Sequence, residues 1–90
     1  MNTQLSDWRA AIDVVDRQLL SLLNTRAKLA GELVKVKRQQ GNAIVDPERE
    51  RDVLTRVCRG NQGPLDEAAV TRIFLRIIRE ARRLQQRAPE

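Results

Sequence analysis

Two cations lie along the apolar face of the longest periodic stretch of this sequence. Its apolar residues recur in alternating steps of four and three, at Trp8, Ile12, Val15, Leu19, Leu22, Leu29, Leu33 and Val36. This row is interrupted at Arg26, and Lys37 follows eleven residues later on the same side of a helix. Two cations beside one partly buried stripe predict a site that binds an anion. The alternative is that each stem packs while its charged head reaches solvent or pairs with an acid.

Arg9 is a third cation on this stretch, but it cannot reach the same site within one chain. It stands 17 residues before Arg26, which places it about 25 Å away along a helix and about 100° around it. In an antiparallel pairing of two copies, however, the start of one helix can approach the middle of its partner. Arg9 is therefore a candidate for a site shared between two chains. The alternative is a surface ion pair with Asp13, worth roughly 0.2–0.5 kcal/mol.

Polar side chains also border the apolar faces of two later segments. Arg49 and Glu50 stand one helical turn before an apolar pair at positions 53 and 54. Gln85 follows Ile78 by seven residues, which brings an uncharged amide onto the apolar side of the last segment. The alternatives are a solvated run of charges for the first two residues and a frayed polar tail for Gln85.

Capping signals predict an all-α fold of three helices, one long and two shorter, over residues 6–40, 47–59 and 66–86. Ser6 is the expected N-cap of the first helix, and Gly41 is its expected stop. Asp46 before Pro47 is a strong start signal for the second helix, and Asp66 is the expected N-cap of the third. The candidate residues would then be distributed over all three predicted helices.

The long helix requires a partner that the two shorter helices cannot supply. A helix over residues 6–40 is a rod of roughly 50 Å. A second apolar row widens its stripe, at Leu20, Leu23, Ala27, Ala30 and Val34. We therefore expect the same helix of a second copy to cover it, which gives an intertwined homodimeric helical bundle. A simple coiled coil is the alternative, but only about four heptads are present and the flanking helices also need a partner surface.

Composition and charge limit the classes of protein to which this chain can belong. The 90 residues are expected to form one domain, 1–90, with 41% apolar residues and a net charge of +5, which suits an anionic partner. There is no apolar run long enough to span a membrane and no secretory signal at the N-terminus, so we expect a cytoplasmic protein without a membrane partner. With Cys58 alone and no histidine, neither a disulfide within the chain nor a zinc site is expected.

One ordered set of residues runs through nearly the whole chain. It comprises Trp8, Arg9, Ile12, Asp16, Leu19, Leu20, Leu22, Leu23, Arg26, Leu29, Ala30, Lys37, the run Asp46-Pro47-Glu48-Arg49-Glu50-Arg51, the stretch 70–78, and Gln85-Gln86. In order and spacing this set resembles the all-helical AroQ class of chorismate mutases. The resemblance implies an intertwined three-helix dimer that rearranges chorismate to prephenate, a step of aromatic amino-acid biosynthesis, without a cofactor or metal.

The resemblance also implies how the dianionic substrate is held. Arg26 and the partner subunit's Arg9 would bind its two carboxylates. Lys37 and Gln85 would donate hydrogen bonds to the ether oxygen whose bond breaks. Arg26, Lys37 and Gln85 are thus the expected catalytic residues.

Three more residues would bind the substrate ring or line its pocket. The resemblance implies that Glu50 holds the ring hydroxyl, and that Arg49 and Asp46 line the same pocket. One departure is Ala81, which falls where some members place a serine near a substrate carboxylate. One contact should therefore be missing or replaced there.

A nucleic-acid-binding protein is the rival from another class. The last helix carries a basic stripe of Arg72, Arg76, Arg79 and Arg83, with Arg82 and Arg87 nearby. Such a stripe could follow a phosphate backbone. The sequence lacks helix-turn-helix spacing and has little aromatic surface for stacking bases, so we expect a solvated face and no nucleic-acid partner.

Alternatives within the same fold remain open. Related helical enzymes remove pyruvate from isochorismate or rearrange 4-amino-4-deoxychorismate, and they share the carboxylate clamp, so Arg26 and Arg49 do not discriminate among the three reactions. The run from Asp46 to Arg51 and the short 41–45 connection look more like a plain mutase. A dimer of weak activity that depends on an activating partner enzyme is a further alternative.

Overall fold

Three helices account for the regular structure of the residues that the structure describes. The computed structural model describes residues 3–87, which form α1 (Thr3–Gln39), α2 (Pro47–Gly60) and α3 (Glu67–Arg87). The molecule is elongated, with extents of 61 × 28 × 16 Å. The all-α prediction is therefore confirmed. None of the helices described is both long and apolar enough to cross a membrane.

The long helix α1 starts earlier than predicted and stops where predicted. Ser6 lies inside the helix and is not its N-cap, because Leu5 extends the apolar row one turn before Trp8. At the other end, Gly41 adopts a left-handed conformation with φ of 71°, which suits a residue without a Cβ atom. The N–H groups of Gly41 and Asn42 donate to carbonyls of the last turn, at 3.2 and 2.9 Å. Such reversed bonds close a helix end by satisfying its free carbonyls.

Aspartate caps start both shorter helices, as predicted. The Asp46 carboxylate accepts a hydrogen bond from the backbone N–H of Arg49 at 3.1 Å, and Pro47 occupies the first turn. The Asp66 carboxylate accepts from the backbone N–H of Ala69 at 2.8 Å. Each carboxylate satisfies a donor that has no partner within its own helix.

Replacing Asp66 with alanine should lower the free energy of unfolding by about 1 kcal/mol, because the cap on the start of α3 is lost. Asp66 lies outside the candidate site described below, so the loss should appear in stability alone. Chemical denaturation at one fixed protein concentration measures it. The matched control, Asp66→Asn, retains a side-chain acceptor and should stay close to the unaltered protein; an equal loss in both variants would contradict the capping role.

Helix α3 joins the other two helices, since it packs against both α1 and α2. Its Val70 is buried, and so is Val34 of α1, each with 6% of its surface exposed. Further apolar residues of α3 are half-buried, at Phe74, Leu75, Ile77, Ile78 and Ala81. Because α3 holds the end of α1 and the start of α2 together, it fixes the geometry of the space among the three helices.

The two apolar rows of α1 differ in how far this chain covers them. In the second row, Leu23, Ala27 and Ala30 are half-buried and Val34 is buried, although Leu20 is exposed. The first row is exposed throughout, at Trp8, Ile12, Val15, Leu19, Leu22, Leu29, Leu33 and Val36. A run of exposed apolar residues this long is atypical of a monomer surface. The first row is thus an apolar face that the three helices of one chain leave open.

Candidate active site

A cavity of about 300 Å³ opens among the end of α1, the start of α2 and the second half of α3. Six of the seven residues predicted for the site line it, namely Arg26, Lys37, Asp46, Arg49, Glu50 and Gln85. Its volume is in the range of pockets that bind small molecules. Apolar side chains, including Leu33 and Ile78, form most of the rest of the wall.

Helix α1 supplies two half-buried cations to this cavity, Arg26 and Lys37. Lys37 Nζ donates a hydrogen bond to the backbone oxygen of Ile44 at 3.3 Å. An ammonium group has three donors, so this bond positions the Lys37 head and leaves two N–H groups for a ligand. The helical spacing of eleven residues does put the two cations on one side of α1.

The start of α2 contributes Asp46 and Arg49, which are both exposed at the rim. The capping bond uses one carboxylate oxygen of Asp46, so this residue also shapes the local backbone. The Arg49 guanidinium lies 3.5 Å from the Asp52 carboxylate, with both side chains about half exposed. At that exposure the ion pair is weak, and Arg49 remains free to turn towards an anion.

Glu50 faces a partner that the sequence patterns did not indicate. Its carboxylate forms an ion pair with the Arg82 guanidinium of α3, and both residues line the cavity. Arg82 lies near the basic stripe of the last helix in sequence, but it does not share the exposed face of that stripe, since its side chain is only 32% exposed. A signal is present in the sequence, because Arg82 follows Ile78 by four residues and therefore shares its inward side.

The end of α3 supplies Gln85 and Ala81 to the same wall. Gln85 is half-buried within a helix that continues to Arg87, so it does not belong to a frayed tail. Ala81 offers a methyl group where a serine would offer a hydroxyl. The only polar side chains that α3 contributes to this cavity in the described part of the chain are therefore Arg82 and Gln85.

Arg9 is the one predicted site residue that the fold of a single chain keeps away from the cavity. It is exposed on the first half of α1, and a separation of 17 positions holds it about 25 Å from Arg26 along the helix axis. The prediction that Arg9 serves a neighbouring chain stays a prediction.

The cavity carries a formal excess of positive charge. Four cations line it, Arg26, Lys37, Arg49 and Arg82, against the two carboxylates of Asp46 and Glu50. The formal balance is +2, in a partly enclosed space with apolar walls. Converging cations in such surroundings attract a small dianion more strongly than scattered surface cations do.

The basic stripe of α3 is partly neutralised by an acid within it. Glu80 pairs with Arg76 at 2.8 Å and with Arg83 at 3.2 Å. Two of the four stripe arginines therefore have a carboxylate partner on the same helix. This pairing weakens the interpretation of the stripe as a track for nucleic-acid phosphates.

Comparison with known proteins assigns the family. A model of the family described as chorismate mutase type II matches residues 8–86. A bifunctional chorismate mutase/prephenate dehydratase from Pseudomonas aeruginosa is 40% identical over 88 residues, covering 92% of this chain but 24% of that protein. The chain thus spans about a quarter of the length of this bifunctional relative.

Two relatives of similar length agree with this match. A chorismate mutase from Methanocaldococcus jannaschii is 33% identical over 89 residues, covering 96% of this chain and 88% of that protein. The structure of a chorismate mutase (Form II) from Thermus thermophilus superposes with a TM-score of 0.91 at 26% identity, covering 97% of this chain and 99% of that one. This chain therefore belongs to the type II family of chorismate mutases, the all-helical class that its residue order resembles.

Proposed function

We propose that this chain catalyses the rearrangement of chorismate to prephenate, the isomerase reaction for which its family is named. The observation that carries the proposal is the convergence of six predicted residues from three helices on one cavity with an excess charge of +2. The substrate carries two carboxylates, so its charge matches that excess. Family membership supports the type of reaction, and the cavity supports the location of the site.

The chemistry of this rearrangement suits the side chains present. The reaction is pericyclic and intramolecular, so it needs no nucleophile and no proton transfer by the protein. Two effects accelerate such a step: holding the substrate in its compact reactive conformer, and stabilising the negative charge that grows on the ether oxygen as its bond lengthens. Fixed cations and amide donors in a partly enclosed cavity provide both effects.

In our proposal each cavity residue has a distinct role. Arg26 and the partner subunit's Arg9 together bind the two substrate carboxylates. Lys37, with two free N–H donors, and Gln85 donate to the ether oxygen. Glu50 accepts a hydrogen bond from the ring hydroxyl.

Arg49 and Asp46 complete the pocket at the start of α2. Arg49 adds a cation close to the substrate, and Asp46 holds the first turn of α2 in place through its capping bond. At Ala81 the contact that a serine makes in some family members is absent, so the carboxylate on that side depends more heavily on the arginines.

A homodimer is the assembly that we propose. The open first row of α1 is a long apolar surface, and a groove of about 500 Å³ beside Arg26 continues it between α1 and α3. Apolar residues dominate this groove, at Leu19, Leu23, Ala27, Ile73, Ile77, Ala81 and Leu84. A long helix with the same apolar face fits it, and the α1 helix of a second copy is such a helix. Antiparallel packing of two α1 helices would also bring the partner subunit's Arg9 towards Arg26.

An incubation with three substrates tests the proposed reaction. The chain alone should consume chorismate and yield prephenate, and it should act far more slowly on isochorismate and 4-amino-4-deoxychorismate. Loss of substrate absorbance followed by product identification measures each reaction. Release of pyruvate from isochorismate, or faster turnover of the amino compound, would instead establish one of the related reactions. No turnover of any of the three at micromolar enzyme would contradict the proposal for the chain alone and favour dependence on a partner enzyme.

A further inference from the structure

The ion pair between Glu50 and Arg82 differs from the other ion pairs among the side chains described, those of residues 4–86. The others join residues three or four positions apart on one helix, with side chains that are mostly exposed. This pair joins α2 to α3 across the cavity wall, and the side chains of Arg82 and Glu50 are 32% and 28% exposed. A charge that is partly removed from water needs a partner, and each of these two residues compensates the charge of the other.

The pair places a cation beside the carboxylate that faces the substrate ring. In the proposed function Glu50 holds the ring hydroxyl, a neutral group. The related substrate 4-amino-4-deoxychorismate carries an amine at this position, and aliphatic amines such as that of lysine are protonated at neutral pH. A carboxylate without a counterion would attract this ammonium group more strongly than a hydroxyl, since one contact is an ion pair and the other a hydrogen bond.

Arg82 reverses this preference by its charge. It compensates much of the charge of Glu50 through Oε2, so lone pairs of the carboxylate remain for a hydroxyl donor while its attraction for a cation is weakened. An ammonium group bound at Glu50 would also lie close to the guanidinium, and like charges at that range repel. Specificity is often built from such a repulsive element as well as from an attractive one.

We propose that Arg82 is a specificity-determining residue, which sets the ring-substituent subsite at Glu50 to accept a neutral hydroxyl and to reject an ammonium. This inference rests on the proposed function, because it assigns the ring substituent to Glu50. Arg82 of α3, together with Glu50 of α2, then determines the choice between chorismate and its amino analogue.

The test is the ratio of kcat/KM for chorismate to kcat/KM for 4-amino-4-deoxychorismate in two variants. Arg82→Met removes both charge and donors, whereas Arg82→Gln removes the charge and retains a donor for Glu50. Both should lower the ratio by about tenfold, because the repulsion of the ammonium group is lost. If turnover of the amino compound is not detected, its inhibition constant against chorismate gives the same comparison. Structural damage would slow both substrates alike and leave the ratio unchanged.

Two controls separate the charge effect from other causes. Arg83→Met removes the neighbouring arginine, which pairs with Glu80 on the outer side of α3, and should leave the ratio unchanged. In a Glu50→Gln background the carboxylate charge is already absent, so Arg82→Gln should change the ratio much less than it does beside Glu50.

The outcomes are distinguishable. If the unaltered chain converts chorismate but neither Arg82 variant changes the ratio, the role of Arg82 is overturned and the proposed function stands. An equal change in the Glu50→Gln background would overturn the route through Glu50. If the unaltered chain converts neither compound, the proposed function and the role of Arg82 fail together.

Discussion

Replacement of Arg26 by alanine should lower kcat/KM for chorismate on the order of a thousandfold, with the helical content unchanged. Arg26 is half-buried where the cavity meets the apolar groove, and it is the predicted ligand of a substrate carboxylate. Its loss would leave a carboxylate of the dianion without a partner in a partly enclosed space, which disfavours both binding and the compact reactive conformer. Steady-state kinetics and circular dichroism of the purified variant measure the two quantities.

A matched control is available one half-turn away on the same helix. Lys28 is exposed, so Lys28→Ala removes one positive charge from α1 without touching the cavity. It should retain kcat/KM within about twofold, since long-range attraction of a dianion by one exposed charge is screened by salt. Near-normal turnover by Arg26→Ala, or an equal loss in the two variants, would refute the assignment of Arg26 to the site.

Much of the fold is accessible from the sequence because its signals are local. Capping by Asp46 and Asp66 requires only a carboxylate three residues before a free backbone N–H, and both bonds are present. The predicted start of α1 is wrong for a related reason. Ser6 has the chemistry of a cap, but Leu5 continues the apolar periodicity beyond it, and the helix follows that periodicity.

The part of the site that the sequence could not predict depends on contacts between helices. Glu50 and Arg82 stand 32 residues apart, and no helical period relates them. The periodicity of α3 could place Arg82 on its inward side, but it could not indicate that a carboxylate of α2 would lie opposite. The coverage of the two apolar rows of α1 also depends on contacts between helices. Both rows have the same helical periodicity in the sequence, and only the packing of α3 shows which of them is covered.

The exposed first row of α1 predicts a dimer in which each site is shared between two chains, and the mixing of inactive variants tests this sharing. If each site takes Arg26 from one subunit and the partner subunit's Arg9, then Arg9→Ala and Arg26→Ala should each be nearly inactive as homodimers. A mixed dimer of the two variants would contain one site with both arginines and one site with neither. After random exchange of equal amounts, about a quarter of all sites should be intact, so about a quarter of the unaltered activity should return.

The control for this mixing experiment is a chain that carries both replacements. Exchange of Arg26→Ala chains with the double variant cannot assemble an intact site, so that mixture should stay inactive. Subunit exchange is verified by co-purification of a tagged chain with an untagged one, and sedimentation gives the dimer mass. Recovery of activity in the first mixture alone requires that Arg9 acts across the interface, because the two residues lie about 25 Å apart on one rigid helix. If exchange is complete and no activity returns, Arg9 has no role in the neighbouring site.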